Sequence, residues 1–138
     1  MRLFLDSSAL VKRYVPEKGS EAVFELCAEA EKLGVSVLGH VEIFSALCRL
    51  RREGKLTSLL YSMTKREVLQ DLRDADLCGV TEECLSLSVS LLEENPLRAM
   101  DALHVAAALE WKAELFASAD AQQLRAAKKA GLEVRAIA

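Results

Sequence analysis

The chain has 138 residues, 51% hydrophobic and 28% charged, which is the composition of one globular domain with a full core rather than of a disordered segment. A net charge of −3 supplies no overall basic field to drive binding to a polyanion, and an aromatic share of 5% leaves no stacking platform for single-stranded bases. No apolar stretch is long enough to cross a bilayer, and Met1-Arg2-Leu3 runs straight into a strand without a signal-peptide pattern, so a cytoplasmic protein is expected.

Leu3–Leu5 is a short apolar run that predicts a buried strand. Residues Gly19 to Leu33 follow a helical period, with Val23, Leu26, Cys27, Ala30 and Leu33 on one face. Ser20 is the expected N-cap and Gly34 the expected stop. Val35–Leu38 predicts the second strand, and a helix from about His40 to Arg52 buries Ile43, Phe44, Leu47 and Leu50 before Gly54. Leu56, Leu59, Leu60 and Met63 form another helical stripe, either core or partner surface, and a further helix runs through Val68, Leu69 and Leu72. Ala75–Val80 is a weak strand signal because of Asp76. Thr81-Glu82-Glu83 reads as a capped helix start and Asn95-Pro96 as its end. Met100 to Trp111 is the next helix, and Leu115–Ala117 and Val134–Ile137 are strands flanking the helix Ala121–Ala130, which Gly131 stops. Strands alternating with helices predict a single α/β domain over residues 1–138, with a mostly parallel central sheet and helices on both faces. The four cysteines (Cys27, Cys48, Cys78, Cys84) show no metal spacing and read as buried free thiols.

Four acids stand out against this frame. Asp6 ends the first strand, Glu42 opens a helix after the second, Asp101 lies in the first turn of an apolar helix, and Asp120 follows Leu115-Phe116-Ala117. In an open α/β sheet these positions converge on one crevice. A pair of carboxylates about 4 Å apart repels by roughly 4 kcal/mol at an effective dielectric near 20. Protons or a hard cation must offset that repulsion, which makes a divalent-metal site the leading reading. The plain alternative for any one acid is a helix cap or a solvated side chain. Ser8 and Ser118 place hydroxyls near the acids, able to orient a carboxylate. Arg49 lies seven positions after Glu42 on the same helix side, Lys12 lies near the expected mouth, and Arg98 precedes Asp101 by one turn, so these are candidate phosphate contacts. His104 is expected to pack or hydrogen-bond beside its helix, and Trp111 to anchor core or interface.

These blocks resemble PIN domains, most closely the VapC-type toxins of prokaryotic toxin–antitoxin pairs. Leu3-Phe4-Leu5-Asp6-Ser7-Ser8-Ala9-Leu10 is similar to the opening block, Val41-Glu42-Ile43-Phe44-Ser45-Ala46-Leu47 to the second, Asp101-Ala102-Leu103-His104-Val105-Ala106 to the third, and Ser118-Ala119-Asp120 to the fourth, where Thr is usual at the first position. After Asp120 the chain carries Ala121-Gln122-Gln123, where relatives often have a charged residue. The resemblance implies an endoribonuclease dependent on Mg²⁺ or Mn²⁺, with Asp6, Glu42, Asp101 and Asp120 as the catalytic and metal-binding set: Asp6 and Asp101 are the first choice for direct ligands, and Glu42 and Asp120 complete the pocket as ligands, water-mediated contacts or water-orienting groups. It also implies a homodimer and a cognate small antitoxin that lies along a groove and delivers a basic side chain to the acids. A PIN-fold module that binds RNA or protein without turnover is the second reading. An aspartyl phosphatase is disfavoured, because its second Asp would fall where Ser8 stands.

Overall fold

The structure, a computed structural model, describes residues 1–138. Five strands pair in parallel in the order β3-β2-β1-β4-β5: β1 (Arg2–Leu5), β2 (Lys32–Ser36), β3 (Asp76–Cys78), β4 (Leu115–Ser118) and β5 (Val134–Ala136). Helices make every crossover. A short α1 (Ser7–Leu10), a 3₁₀ turn (Val11–Arg13) and α2 (Ser20–Glu29) link β1 to β2, and α3 (Val37–Arg52) and α4 (Ser58–Asp74) link β2 to β3. From β3 the chain passes through α5 (Glu82–Glu94) and α6 (Ala99–Trp111) to β4, then through α7 (Ala121–Lys129) to β5.

The alternation of side chains along a strand divides the core in two. Leu3, Leu5, Leu115 and Ala117 face α1 to α4, where they meet Leu10, Val23, Ile43, Leu47 and Val68. Phe4 and Phe116 point the other way, stacked at 5.9 Å between centroids, against the Ala-rich face of α6 and against Leu91 of α5. β1 and β4 are therefore apolar on both sides, as a central parallel strand must be. The chain also reverses its direction of travel across the sheet between β1 and β4. Their carboxyl ends form the crevice that open α/β sheets use for ligands.

Several boundaries differ from the sequence expectations. The second strand begins at Lys32, not Val35, and Val37-Leu38-Gly39 is already the first turn of α3. Ser36 makes that switch, accepting the Leu38 N–H at 3.1 Å. Gly34 is not a helix stop but a mid-strand residue, required because a Cβ there would lie 2.8 Å from the Trp111 ring. Helix α2 ends earlier, at Glu29, so Leu33 lies on the sheet rather than on the helix. Gly19, at φ +98°, is the N-cap of α2, and Ser20 Oγ instead bridges Val15 O and the Glu17 N–H. The stripes from Leu59 to Leu72 belong to one helix, α4, capped by Thr57, with Leu56 outside it and packed on the core, and Leu59, Leu60 and Met63 of its first turns face solvent. β3 is confined to three residues and tolerates Asp76 because its carboxylate accepts the Trp111 indole N–H at 3.0 Å. No helix is long and apolar enough to cross a membrane.

Candidate active site

Each of the four acids sits where a strand hands the chain to a helix, or in the first turns of a helix. Asp6 follows β1 and caps α1, accepting the Ala9 N–H at 3.0 Å. Two serine hydroxyls donate to it as well: Ser8 Oγ at 2.8 and 2.9 Å and Ser118 Oγ, from the end of β4, at 2.8 Å. The carboxyl is wholly buried. Burial pushes its pKa up, and the donors from Ser8, Ala9 and Ser118 oppose that rise by favouring the charged form. The serines also set the β4–α7 corner, because Ser118 Oγ accepts the Asp120 N–H at 2.9 Å and Ser8 Oγ accepts the Ala119 N–H at 2.9 Å.

Asp120 caps α7, with Oδ1 accepting from Gln122 N at 2.8 Å and Gln123 N at 3.2 Å. Asp101 occupies the third position of α6 and is buried. Its Oδ2 takes long contacts of 3.4 Å from the Arg98 backbone N–H and Nε–H, and its Oδ1 accepts the Gln123 side-chain amide at 3.1 Å. Gln123 thus spans α7 and α6, its backbone on Asp120 and its side chain on Asp101.

Glu42 projects from the second turn of α3 and is half-buried. Its Oε1 accepts from Ser7 Oγ at 2.9 Å and from His104 Nε2 at 2.5 Å. The His104 hydrogen bond outweighs burial and holds the Glu42 carboxyl below its ordinary range, with Ser7 adding to the effect. Three of the acids are therefore joined by short polar links, Asp6 through Ser118 to Asp120 and Asp120 through Gln123 to Asp101, while Glu42 is held by Ser7, the chain neighbour of Asp6, and by His104.

No three His, Cys, Asp or Glu side chains converge closely enough to enclose an ion by themselves. The donors are nonetheless hard carboxylate oxygens, and Glu42 and Asp120 each have one oxygen tied down and one with no hydrogen bond. Mg²⁺ binds through one or two carboxylates and keeps most of its waters, unlike an ion held in a protein cage. The residues present fit an ion of that kind.

The expected phosphate contacts fare differently. Arg49 is exposed near the end of α3, and the Arg98 side chain is 84% exposed beside Asp101. Lys12 does not line the mouth: it is buried, and Glu17 Oε1 at 3.0 Å and Lys18 O at 2.8 Å take its ammonium group. A buried ammonium requires such partners. His104 does hydrogen-bond beside its helix, and its partner is one of the four acids. Ser7 and Gln123 were not anticipated as partners of the acids. The only sequence signal for Ser7 is its place next to Asp6, and Gln123 lies three residues past Asp120, where a capped helix would begin.

Comparison with known proteins identifies the family and the fold. The sequence model of the PIN domain matches residues 3–129. No curated protein matches the chain in sequence. Among solved structures, FitAcB from Neisseria gonorrhoeae superposes with a TM-score of 0.74 at 16% identity, covering 96% of this chain and 95% of that one. A toxin–antitoxin complex from Klebsiella pneumoniae gives 0.69 at 14%, covering 99% and 98%. VapC20 of Mycobacterium tuberculosis, a sarcin–ricin loop cleaving toxin, gives 0.67 at 14%, covering 94% and 95%. With the family's sequence pattern running over most of its length and the same fold beneath it, this chain belongs to the PIN domain family.

Proposed function

We propose that the protein is an endoribonuclease that uses Mg²⁺ or Mn²⁺, and that it acts as the toxin of a toxin–antitoxin pair. The observation that supports this reading is the hydrogen-bonded chain from Asp6 through Ser118 to Asp120 and through Gln123 to Asp101 at the β1/β4 switch point, with Glu42 held by Ser7 next to Asp6 in the chain. When bound, a divalent ion supplies an activated water and neutralises charge on the phosphate oxygens. Asp6 and Asp101 are the residues that would hold it. Glu42 and Asp120, each with one oxygen that accepts no hydrogen bond, would complete the pocket as further ligands or as groups that orient the attacking water. Ser8 and Ser118 keep Asp6 in one rotamer, with Ser118 also fixing the start of α7 that presents Asp120. Arg49 and Arg98, exposed beyond the acids, would meet the flanking phosphates.

RNA as substrate is supported by the description of VapC20 as a sarcin–ricin loop cleaving toxin, and an antitoxin partner by the toxin–antitoxin complex from Klebsiella pneumoniae. A homodimer is part of the same reading. Purified protein incubated with a pool of structured RNA in Mg²⁺, in Mn²⁺ and in EDTA, beside Asp6→Ala, tests it. Cleavage that requires the ion and is lost in the variant is expected. Retention of RNA without any cleavage would refute turnover and favour an interaction module.

A further inference from the structure

Two buried side-chain polar atoms in the whole molecule lack a hydrogen-bond partner, His104 Nδ1 and Gln123 Oε1. Both belong to residues whose other polar atom grips an acid of the crevice. An unsatisfied buried polar atom is costly and calls for an explanation. For a residue such as His104, 1% exposed, an aliphatic side chain would fill the space without that penalty. The imidazole is there for its second nitrogen.

That nitrogen, Nε2, meets Glu42 Oε1 at 2.5 Å. An ionised carboxylate only accepts, so Nε2 carries the proton and donates. Ser7 Oγ donates to the same oxygen from α1 at 2.9 Å, while Glu42 Oε2 receives no hydrogen bond. Two elements outside α3 therefore hold one oxygen of a side chain that is itself 34% exposed. Without them a glutamate on a helix flank would sample several rotamers. Gly39 of α3 lies beside the ring: a Cβ there would meet His104 Cε1 at an ordinary contact distance of 3.7 Å, and its tight contact would be with Val35 Cγ1 at 3.0 Å. His104 also shares α6 with Asp101, one turn earlier, so a single helix sets the positions of two acids.

We propose that His104 is a positioning residue for Glu42: it pins Oε1 so that Oε2 faces the crevice, ready for the ion's water or the substrate. The proposal rests on the reading of the four acids as a metal-dependent nuclease centre. It differs from a structural role in what it predicts for the ion.

The test uses the full chain as wild type, His104→Phe, His104→Gln, Glu42→Gln and the Glu42→Gln/His104→Phe double variant. Phe keeps a ring but no donor, and Gln places an amide N–H near the Nε2 position. Mn²⁺ affinity is measured by electron paramagnetic resonance, RNA cleavage at saturating Mn²⁺ supplies kcat and KM, and urea midpoints check the fold. His104→Phe should weaken Mn²⁺ binding about tenfold, the scale at which residues that orient a ligand act, and lower kcat with KM for RNA unchanged. His104→Gln should recover most of both, and the double variant should bind no more weakly than Glu42→Gln alone. Wild-type Mn²⁺ affinity in a folded His104→Phe or, if that variant does not fold, failure of a folded His104→Gln to differ from Glu42→Gln would overturn the positioning role while leaving the metal centre standing. A wild type that neither binds Mn²⁺ nor cleaves RNA would overturn the nuclease reading, and this proposal with it.

Discussion

Replacing Ser118 by Ala tests whether the crevice is built around an ionised Asp6. The hydroxyl donates to Asp6 Oδ2 at 2.8 Å and accepts the Asp120 N–H at 2.9 Å, and the side chain is wholly buried. A hydrogen bond to a charged group contributes about 1.5–3 kcal/mol, and a stranded amide adds about 1–3 kcal/mol when no water reaches it. Asp120 is only half-buried, so water can satisfy part of that second loss. The expected destabilisation is therefore ~2–4 kcal/mol, a sizeable share of the 5–15 kcal/mol roughly typical of a domain. Urea unfolding in EDTA at pH 7 measures it as a shift in midpoint at constant slope. A double-mutant cycle with Asp6→Asn isolates the link between the two side chains, and a coupling of about 1.5–3 kcal/mol is expected. A loss below about 1 kcal/mol, with additive behaviour in the cycle, would mean that the Asp6 carboxyl is neutral or that Ser118 does not act through it. Either result would refute a charged, cation-ready crevice built on Asp6.

Other consequences are open to simple measurements. Gly34→Ala forces a methyl group to within 2.8 Å of the Trp111 ring, and thermal unfolding should show a destabilisation of about 1–3 kcal/mol, the usual cost of overpacking. Tyr14 donates to Asp71 Oδ2 at 2.8 Å, and burial first, then that hydrogen bond, raises its phenol pKa above the ordinary 10. A raised folded pKa gives stability that is complete below pH 10 and is lost as the pH climbs toward the folded value. Urea midpoints should thus fall above pH 10 in the wild type, and Tyr14→Phe should flatten that limb; parallel curves would contradict the assignment. Arg49→Ala should raise the KM for RNA severalfold with little change in kcat, and should reduce the salt dependence of binding by about one phosphate contact. Alkylation of Cys78 at pH 8 should be slow, because burial first and the nearby Asp76 and Glu110 carboxylates push its thiol pKa up to about 11.

Local chemistry carried much of this protein into view. Leu3-Phe4-Leu5 had to be a central strand because both of its faces are apolar, and an acid directly after such a strand has little choice but to cap the helix that follows. Asp120 obeys the same logic after β4. Thr81 and Gly131 marked helix ends by side-chain oxygen and by positive φ, properties of single residues. The parallel sheet followed from the alternation of strands and helices, and the crevice from the parallel sheet.

What the chain alone left open depended on residues distant in sequence. Val35-Ser36-Val37-Leu38 reads as one apolar strand, but Ser36 ends it, because capping α3 there lets Ile43 and Leu47 reach the core. Gly34 looked like a stop until Trp111, from another helix, occupied the space of its missing side chain. Lys12 seemed poised at the mouth, yet Glu17 and the Lys18 carbonyl draw it inward. The partners of the acids show the division most clearly. The sequence determined which acids stand at which strand and helix ends, since that depends on period and capping within a few residues. Only the tertiary structure decided that His104 and Ser7 hold Glu42, and that Gln123 ties Asp101 to α7, because a hydrogen bond across 62, 35 or 22 positions is set by how helices cross the sheet and not by any local preference.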